Sequence, residues 1–474
     1  MIGFTVGALR ATNTWDFPTY TLAALAAIVV LEAARRGRMA RPADLTGWLS
    51  FLFRAAFSVV WRVALLIIVA SAAFYPYTSH YATAYAGLQL WDGARTLLPD
   101  YFVMWGFFLV LAVIQLVAEL FAQRREGALP AWLVAASPFI AGAFVLVLAF
   151  GLFLKIQIWL LALPLFALAV LLSLGRDLPP ARRLALLLLA LAFAITMGVE
   201  LVRQKDDIGR MNTVFKFYLQ AWVIFGVATA FGLATWLPRA FAWQPGWRRV
   251  VAAVTLLFFV GTMLYPPFAA RAKVRDRFSA EASPHGLDGM AYMERAQYFD
   301  NGRDLRLADD RQAMLWLLQN VEGSPIILEA QIPEYRWGSR FADYTGLPTV
   351  QGWNWHQRQQ RSVVPSIAVE RRVAQVQELY NTTDLARAGH LLAIYGVRYI
   401  MVGELERAYY SPEGLAKFDA MVQGGVLEVA HRAGAVTIYR VVGSPTAATG
   451  VPAGIGPRPV PTPTPATGTF LSPR

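Results

Sequence analysis

The sequence predicts an α-helical polytopic membrane domain of about eight transmembrane helices over residues 1–270. A small extracytoplasmic α/β domain follows over 271–442, and a disordered Pro/Thr/Gly-rich tail over 443–474. Three observations carry this. Hydrophobic residues make up 56% of the 474-residue chain and charged residues only 16%, against about 45–50% and about 25% in soluble domains. The apolar residues are concentrated before position 270. After position 443 the composition collapses to Pro, Thr, Gly and Ala, in runs such as Pro459-Val-Pro-Thr-Pro-Thr-Pro-Ala-Thr-Gly468, which stay extended and solvated. The absence of cysteine excludes thiol nucleophiles, CxxC redox sites and thiolate zinc sites.

A hydrocarbon core of about 30 Å takes about 20 helical residues, and eight stretches reach that length: 17–34, 52–74, 100–121, 130–152, 156–175, 182–202, 215–237 and 249–267. The fourth and fifth are separated only by the region of Lys155 and so form a tight hairpin; merged, they would reduce the count to seven. Arg35, Arg36, Arg38, Arg41, Arg124, Arg125, Arg176, Arg182, Arg183, Arg239, Arg248 and Arg249 fall in one set of loops. The other set holds Arg10, Arg95, Lys155, Arg203, Lys205, Arg210 and Lys216. The positive-inside rule puts the first set in the cytoplasm. Residues 1–16, loop 75–99, loop 203–214 and everything after 270 are then outside, in a multi-pass cell-membrane protein. The net charge of +12 is explained by those loops and calls for no nucleic acid. Arg62, inside the second span, is expected to pair with Glu119 or to snorkel.

Beyond 270, helix-period runs (Arg311–Val321, Val364–Tyr380, Asp384–Tyr395) alternate with β-rich runs. The latter are Pro325–Glu329, Thr349–Gly352, Val397–Val402, Leu427–His431 and Ala435–Val441. Such alternation reads as one small α/β domain.

Four constellations carry chemistry. Asn13-Thr-Trp-Asp16-Phe-Pro18-Thr-Tyr20 opens the first span. There Asp16 either caps the helix or stands as a carboxylate able to act as a base or hold a divalent cation. In the loop and helix start from Glu200 to Trp222, Arg203, Lys205, Asp206, Asp207 and Arg210 crowd one short connection. Asn212, Lys216 and Gln220 then recur at i, i+4, i+8 as a polar stripe entering the bilayer. A cavity lined by Arg203, Lys205, Arg210 and Lys216 suits a phosphate or pyrophosphate headgroup; the alternative is an interfacial charge network that fixes helix ends. The aromatic loop from Phe74 to Asp100, with Trp91, is an interface belt or a sugar platform. The run Ser339–Arg361, with Trp353 and His356, either stacks on a sugar or docks its domain onto the membrane part. The five histidines are too dispersed for a HxxxH-type metal site.

The run Asp207-Ile-Gly-Arg210-Met-Asn212-Thr-Val-Phe-Lys216-Phe-Tyr218-Leu-Gln220-Ala-Trp222 resembles the signature of the YYY family of uncharacterised polytopic membrane proteins. So do Asn13–Tyr20, Thr345–Trp353 with His356, and Tyr399–Arg407, so the resemblance spreads over nearly the whole chain. It implies kinship with the GT-C class of membrane glycosyltransferases, which use polyprenyl-phosphate-linked sugars on the outer face, and hence a GT-C-like membrane fold. It also implies further spans before residue 1, on a longer chain or a separate one, with a catalytic acidic residue in an earlier outer loop. Gln357 stands where the family pattern is typically acidic. The expected function is therefore glycosyl transfer from a polyprenyl-phosphate-linked sugar. Asp16, Asp206 and Asp207 are the catalytic or metal-binding candidates. Asn13, Arg203, Lys205, Arg210, Asn212, Lys216, Tyr218, Gln220, Trp353 and His356 are the substrate-binding ones. The alternative is a non-catalytic protein that binds or moves a lipid-linked glycan or scaffolds envelope assembly. A solute transporter is disfavoured by the absence of a visible repeat.

Overall fold

The computed structural model describes residues 1–37, 44–81, 87–205, 207–240, 244–278, 286–361 and 364–442. The expected disordered tail lies outside the described residues. The chain divides into two compact units, Met1–Ala272 and Lys273–Arg474.

The first unit is built from α1 (Ile2–Thr12), α2 (Asp16–Gly37), α3 (Leu45–Ala73), α4 (Tyr75–Thr78), β1 (Leu88–Leu90), α5 (Leu98–Glu126), α6 (Ala131–Ala135), α7 (Ser137–Phe153) and α8 (Trp159–Ser173). It continues with α9 (Pro180–Gly198), β2 (Val202–Gln204), α10 (Met211–Ala240) and α11 (Pro245–Arg277). Among the described residues, α2, α3, α5, α9, α10 and α11 are long and apolar enough to cross a membrane. The eight expected spans are thus reduced to six by this measure. The fourth breaks at Ala136 into α6 and α7, and the fifth is α8; α7 and α8 have only 17 and 15 residues. At 1.5 Å per residue α8 covers about 22 Å, short of a hydrocarbon core of about 30 Å. Lys155, at φ 60°, turns the chain between them.

The inner helices α5, α8, α9 and α10 share one apolar core in which Tyr101, Trp105, Phe193 and Phe225 are fully buried. No residue of α11 is buried. One helix was not anticipated. Residues 1–16 read as an outer loop, yet Ile2–Thr12 is helical. Gly3 and Gly7 let α1 lie directly on the backbone of α3: a Cβ on Gly3 would sit 2.8 Å from the Leu66 carbonyl oxygen, and one on Gly7 2.6 Å from that of Ala70. The Gly-x-x-x-Gly spacing that permits such approach is visible in the sequence.

The charged groups of the spans pair at the other end of these helices. Arg62 binds Glu32 (2.7 Å), which also accepts from Arg36 (2.7 Å) and Ser58 (3.1 Å). The expected partner, Glu119, is taken by Arg182 (2.8 Å). Helix α2, not α5, lies beside α3, so Arg62 finds a different carboxylate.

In the second unit a short 3-10 turn, Ala291–Glu294, precedes the hairpin of β3 (Gln297–Asp300) and β4 (Arg303–Arg306). Asn301 and Gly302 take φ 48° and 79°, the left-handed pair that a two-residue hairpin turn requires. Then come α12 (Leu307–Asn320), β5 (Ile326–Leu328), α13 (Arg340–Thr345), α14 (Asn354–Gln360), α15 (Ile367–Asn381), α16 (Leu385–Tyr395) and β6 (Val397–Val402). The unit ends with α17 (Glu404–Tyr409), α18 (Pro412–Gln423), β7 (Leu427–Ala433) and β8 (Val436–Val441). The sheet order is β5-β6-β8-β7, with β5 parallel to β6 and the other neighbours antiparallel. Thr349–Gly352, expected as a strand, makes a single parallel bridge from Thr349 to Ile327. Pro348 before it lacks the N–H a continuing ladder would use. Ile327, Leu328, Ile400, Met401, Phe418 and Ile438 fill the core.

Candidate functional site

Helix α10 begins where Asp207 collects its first free backbone N–H groups. One carboxylate oxygen accepts from the Asn212 amide N–H (3.2 Å) and Asn212 Nδ2 (2.9 Å); the other accepts from Thr213 N–H (2.9 Å) and Thr213 Oγ1 (2.8 Å). Both Asp207 and Asn212 are thereby committed to the helix start, as an anionic cap should be. Asp206 lies outside the described residues.

The chain before the cap is held by the loop that precedes α5. Strands β1 and β2 pair antiparallel, Gln89 opposite Arg203. Arg203 donates to the Gly209 carbonyl (2.7 Å) and to Gln89 Oε1 (3.1 Å). Arg203 and Arg210 each lie 5.5 Å from the Trp91 ring, within cation–π range. Arg210 is also ion-paired to Glu200 at 2.7 Å and donates to the Val199 carbonyl (2.9 Å) and Thr96 Oγ1 (3.0 Å). Glu200 is wholly buried and accepts from the Thr96 amide (3.0 Å). So Arg210 is neutralised within the protein. Sequence reasoning assigned no role of their own to Glu200 or Thr96, and read Trp91 as part of an interface belt or sugar platform rather than as a partner of two arginines. The signal for Glu200 was there: a carboxylate closing an apolar span needs a partner. Tyr218 is buried edge-on against Trp105, ring centroids 5.0 Å apart.

The third part is the start of α2. Gln220 Nε2 donates to the Trp15 carbonyl (2.8 Å) and to Asp16 Oδ1 (2.9 Å), while its Oε1 accepts from the Thr19 hydroxyl. One turn earlier on α10, Lys216 Nζ lies 5.8 Å from the Trp15 ring. The Asn13 carbonyl accepts the Asp16 amide (2.9 Å), closing the α1–α2 turn. The structure therefore brings Asp16, Lys216 and Gln220 together, with the Arg203/Arg210 cluster at the same helix end. Lys205 is exposed and joins the cluster through its backbone, donating to the Gly87 carbonyl (2.8 Å). Among the described residues, Arg203, Lys205 and Lys216 have no carboxylate at ion-pair distance. No group of three or more His, Asp or Glu side chains there could hold a metal ion. Further along α10, an apolar cavity of about 730 Å³ opens between α5, α10 and α11, lined by residues including Phe107, Leu233, Trp236, Val251 and Phe259.

Trp353 and His356 lie in the second unit. Their rings and that of Tyr335 meet edge-on, with centroids 5.0–5.6 Å apart. Tyr335 OH and His356 Nε2 are 3.2 Å apart. Elsewhere in this unit a buried ion network joins α12, α13 and α17. Arg340, 1% exposed, binds Asp310 (2.8 Å) and Glu406 (3.0 Å). Burial opposes the charge on Arg340, but these two carboxylates hold its pKa above the ordinary value. Burial pushes Asp310 upward. It opposes Glu406 as well, yet Arg340 and the Gly403 and Ala330 amides bring that carboxyl below its usual range. Glu329 accepts from the Phe341 (2.8 Å) and Ala342 (3.1 Å) amides, and burial pushes it up to about 7.

Helices of this length and composition, pinned at one end by a polar lock of ion pairs and capped turns, define a multi-pass membrane protein. Residues 1–225 match a family described as Uncharacterized membrane protein (DUF2298). That stretch takes in the start of α2, the β1–β2 pair and the first half of α10. No curated protein matches the chain.

Proposed function

We propose that the first unit binds the phosphate of a polyprenyl-phosphate-linked sugar where α2 meets α10, and that the sugar is transferred there. The observation that carries this reading is Lys216. It is stacked on Trp15, has no carboxylate partner among the described residues, and stands one turn from the glutamine that holds Asp16. An ammonium at the edge of a bilayer calls for an anion, and phosphate oxygens meet it as acceptors. Arg203 and Lys205 add positive charge. In the transfer step an acceptor hydroxyl oxygen bonds to the anomeric carbon of the sugar as the bond from that carbon to the phosphate oxygen breaks. Asp16 takes the hydroxyl proton, the bonding electrons leave with the phosphate, and Lys216 and Arg203 stabilise the charge. A divalent cation, where the reaction uses one, would find a ligand in Asp16 and would supply charge neutralisation for the leaving phosphate. The apolar cavity along α10 suits the polyprenyl chain. The arginine bias of the opposite loops supports reading the site as extracytoplasmic, in a cell membrane.

The test is titration of polyprenyl phosphate and its sugar-linked form against the full chain in nanodiscs, followed by a transfer assay. Lys216→Ala loses binding; Asp16→Asn keeps binding and loses transfer. A folded wild type that binds neither lipid overturns the reading. One observation favours a second reading, the non-catalytic binding or movement of a lipid-linked glycan. Asp207 is spent on the helix cap and Asp16 already accepts from Gln220, so no carboxylate described at this site is wholly unengaged. Tight binding without transfer to any acceptor selects it.

A further inference from the structure

We infer that the second unit carries its own saccharide-binding site, formed by Tyr335, Trp353 and His356 with the amides of Gln351 and Asn354. This rests on the second unit alone and stands whatever the membrane unit binds.

Its place in the fold is the first argument. Tyr335 follows β5, and Gln351, Trp353, Asn354 and His356 follow the parallel bridge that Thr349 makes beside β5. Ligands of open α/β sheets bind outside the carboxyl ends of parallel strands.

Backbone conformation is the second. Tyr335 takes φ 63°, a left-handed conformation in which a bulky side chain is out of place. Such residues cluster at ligand sites, where the surroundings enforce the strain. Tyr335, a residue 71% exposed, sets its ring against Trp353 (5.0 Å, 67°) and His356 (5.6 Å, 75°). Trp353 is itself fixed by its indole N–H, which donates to the Gly338 carbonyl at 3.3 Å.

Unused polar groups are the third. Gln351 is 5% exposed, and its Nε2 has no hydrogen-bond partner among the described residues; Asn354 Oδ1 is likewise buried without one. Leaving such groups unpaired in a folded interior is costly. A buried amide donor and a buried amide acceptor, one or two residues along the chain from Trp353, match what a sugar offers beside an aromatic face, hydroxyls at its edge and C–H groups on its face. A cationic ligand, the other common guest of aromatic clusters, is disfavoured. Glu334, the carboxylate of this loop, accepts the Trp355 amide (2.8 Å), and Arg358 lies 5.5 Å from the Trp355 ring.

The experiment is saturation-transfer NMR on the full chain in nanodiscs with methyl α-mannopyranoside, methyl β-glucopyranoside and N-acetylglucosamine at millimolar concentration. Aromatic saturation is expected to reach the ring protons of at least one of them. The signal is expected to fall about fivefold or more in Tyr335→Gly, which removes the ring while suiting the left-handed backbone. His356→Ala is expected to weaken it too, and Lys216→Ala to leave it unchanged. No transfer to any of the three sugars from the folded wild type overturns the inference, as does an undiminished signal in Tyr335→Gly.

Discussion

Gln220 donates to the Asp16 carboxylate at 2.9 Å across 204 residues of sequence, and through that bond the start of the second helix is fixed to the stripe of α10 that carries Lys216. The same amide binds the Trp15 carbonyl and the Thr19 hydroxyl, so one side chain holds two groups of α2 and the carbonyl just before it.

Replacing Gln220 by Leu keeps the volume and strands those groups. The expected cost is about 1–3 kcal/mol, read as a lower unfolding temperature in detergent, with lipid-phosphate binding weakened because Trp15 and Lys216 lose their common frame. Unchanged stability would show that α2 is held elsewhere.

The buried pair of Glu200 and Arg210 gives a sharper expectation. Truncating one partner leaves the other charge uncompensated, at a cost of about 3–5 kcal/mol. Glu200→Gln and Arg210→Met are therefore each destabilising, and the double variant less so than their sum. A double-mutant cycle by chemical unfolding measures the coupling; additive effects would mean the pair is not coupled.

Asp207→Ala is expected to cost about 1–2 kcal/mol, the loss of a helix cap, while leaving sugar transfer measurable. Asp207→Asn is expected to be milder, since its amide oxygen still accepts from Thr213. Abolished transfer in Asp207→Asn with unchanged stability would instead make this carboxylate part of the chemistry.

Glu329 sets a pH dependence. Its pKa is raised by burial to about 7 in the fold from an ordinary value near 4.3 in the unfolded chain. The protonated form is favoured by folding, so its stabilisation is complete below the unfolded pKa and fades as pH rises through about 7. The Phe341 and Ala342 amides, which donate to Glu329, are expected to lose hydrogen-exchange protection between pH 5 and about 8 beyond the intrinsic rate change. Glu329→Gln is expected to flatten that loss. A wild-type profile already flat would place the titration of Glu329 outside this range.

At the α1–α3 contact, Gly7→Leu would drive a side chain into the backbone of α3. Displacement of α1 is expected, detectable as a longer spin-label distance between the two helices, with Gly142→Leu, which meets open space, as the silent control.

The apolar helices, β6, β8 and the polar stripe of α10 were legible in the sequence because each rests on a local pattern: apolar length, β-branched runs, or polar residues at i, i+4, i+8. What was not legible rests on pairing between distant segments. Trp91 looked like one aromatic among many in a loop until β1 was seen to pair with β2. Arg210 looked like a free cation until Glu200, ten residues earlier, was seen folded against it. Arg62 found Glu32 rather than Glu119 because helix adjacency, not charge, chooses among carboxylates. The short β3–β4 hairpin announced itself only through Asn301-Gly302. The break at Ala136 and the stop of α8 at Ser173 lie inside continuous apolar runs, where hydropathy has no contrast to show.

The antiparallel pairing of Leu88–Leu90 with Val202–Gln204 makes a mechanical cross-tie over the helix ends. It joins the chain entering α5 to the chain leaving α9, and the Asp207 cap carries the tie on to α10. Side chains on paired strands alternate between faces, so a slip of one residue would turn Arg203 away from Gln89 and off the Trp91 ring at once. Sliding these helices past one another along their axes is thereby made costly, and sideways parting is left as the softer way for this end of the bundle to open.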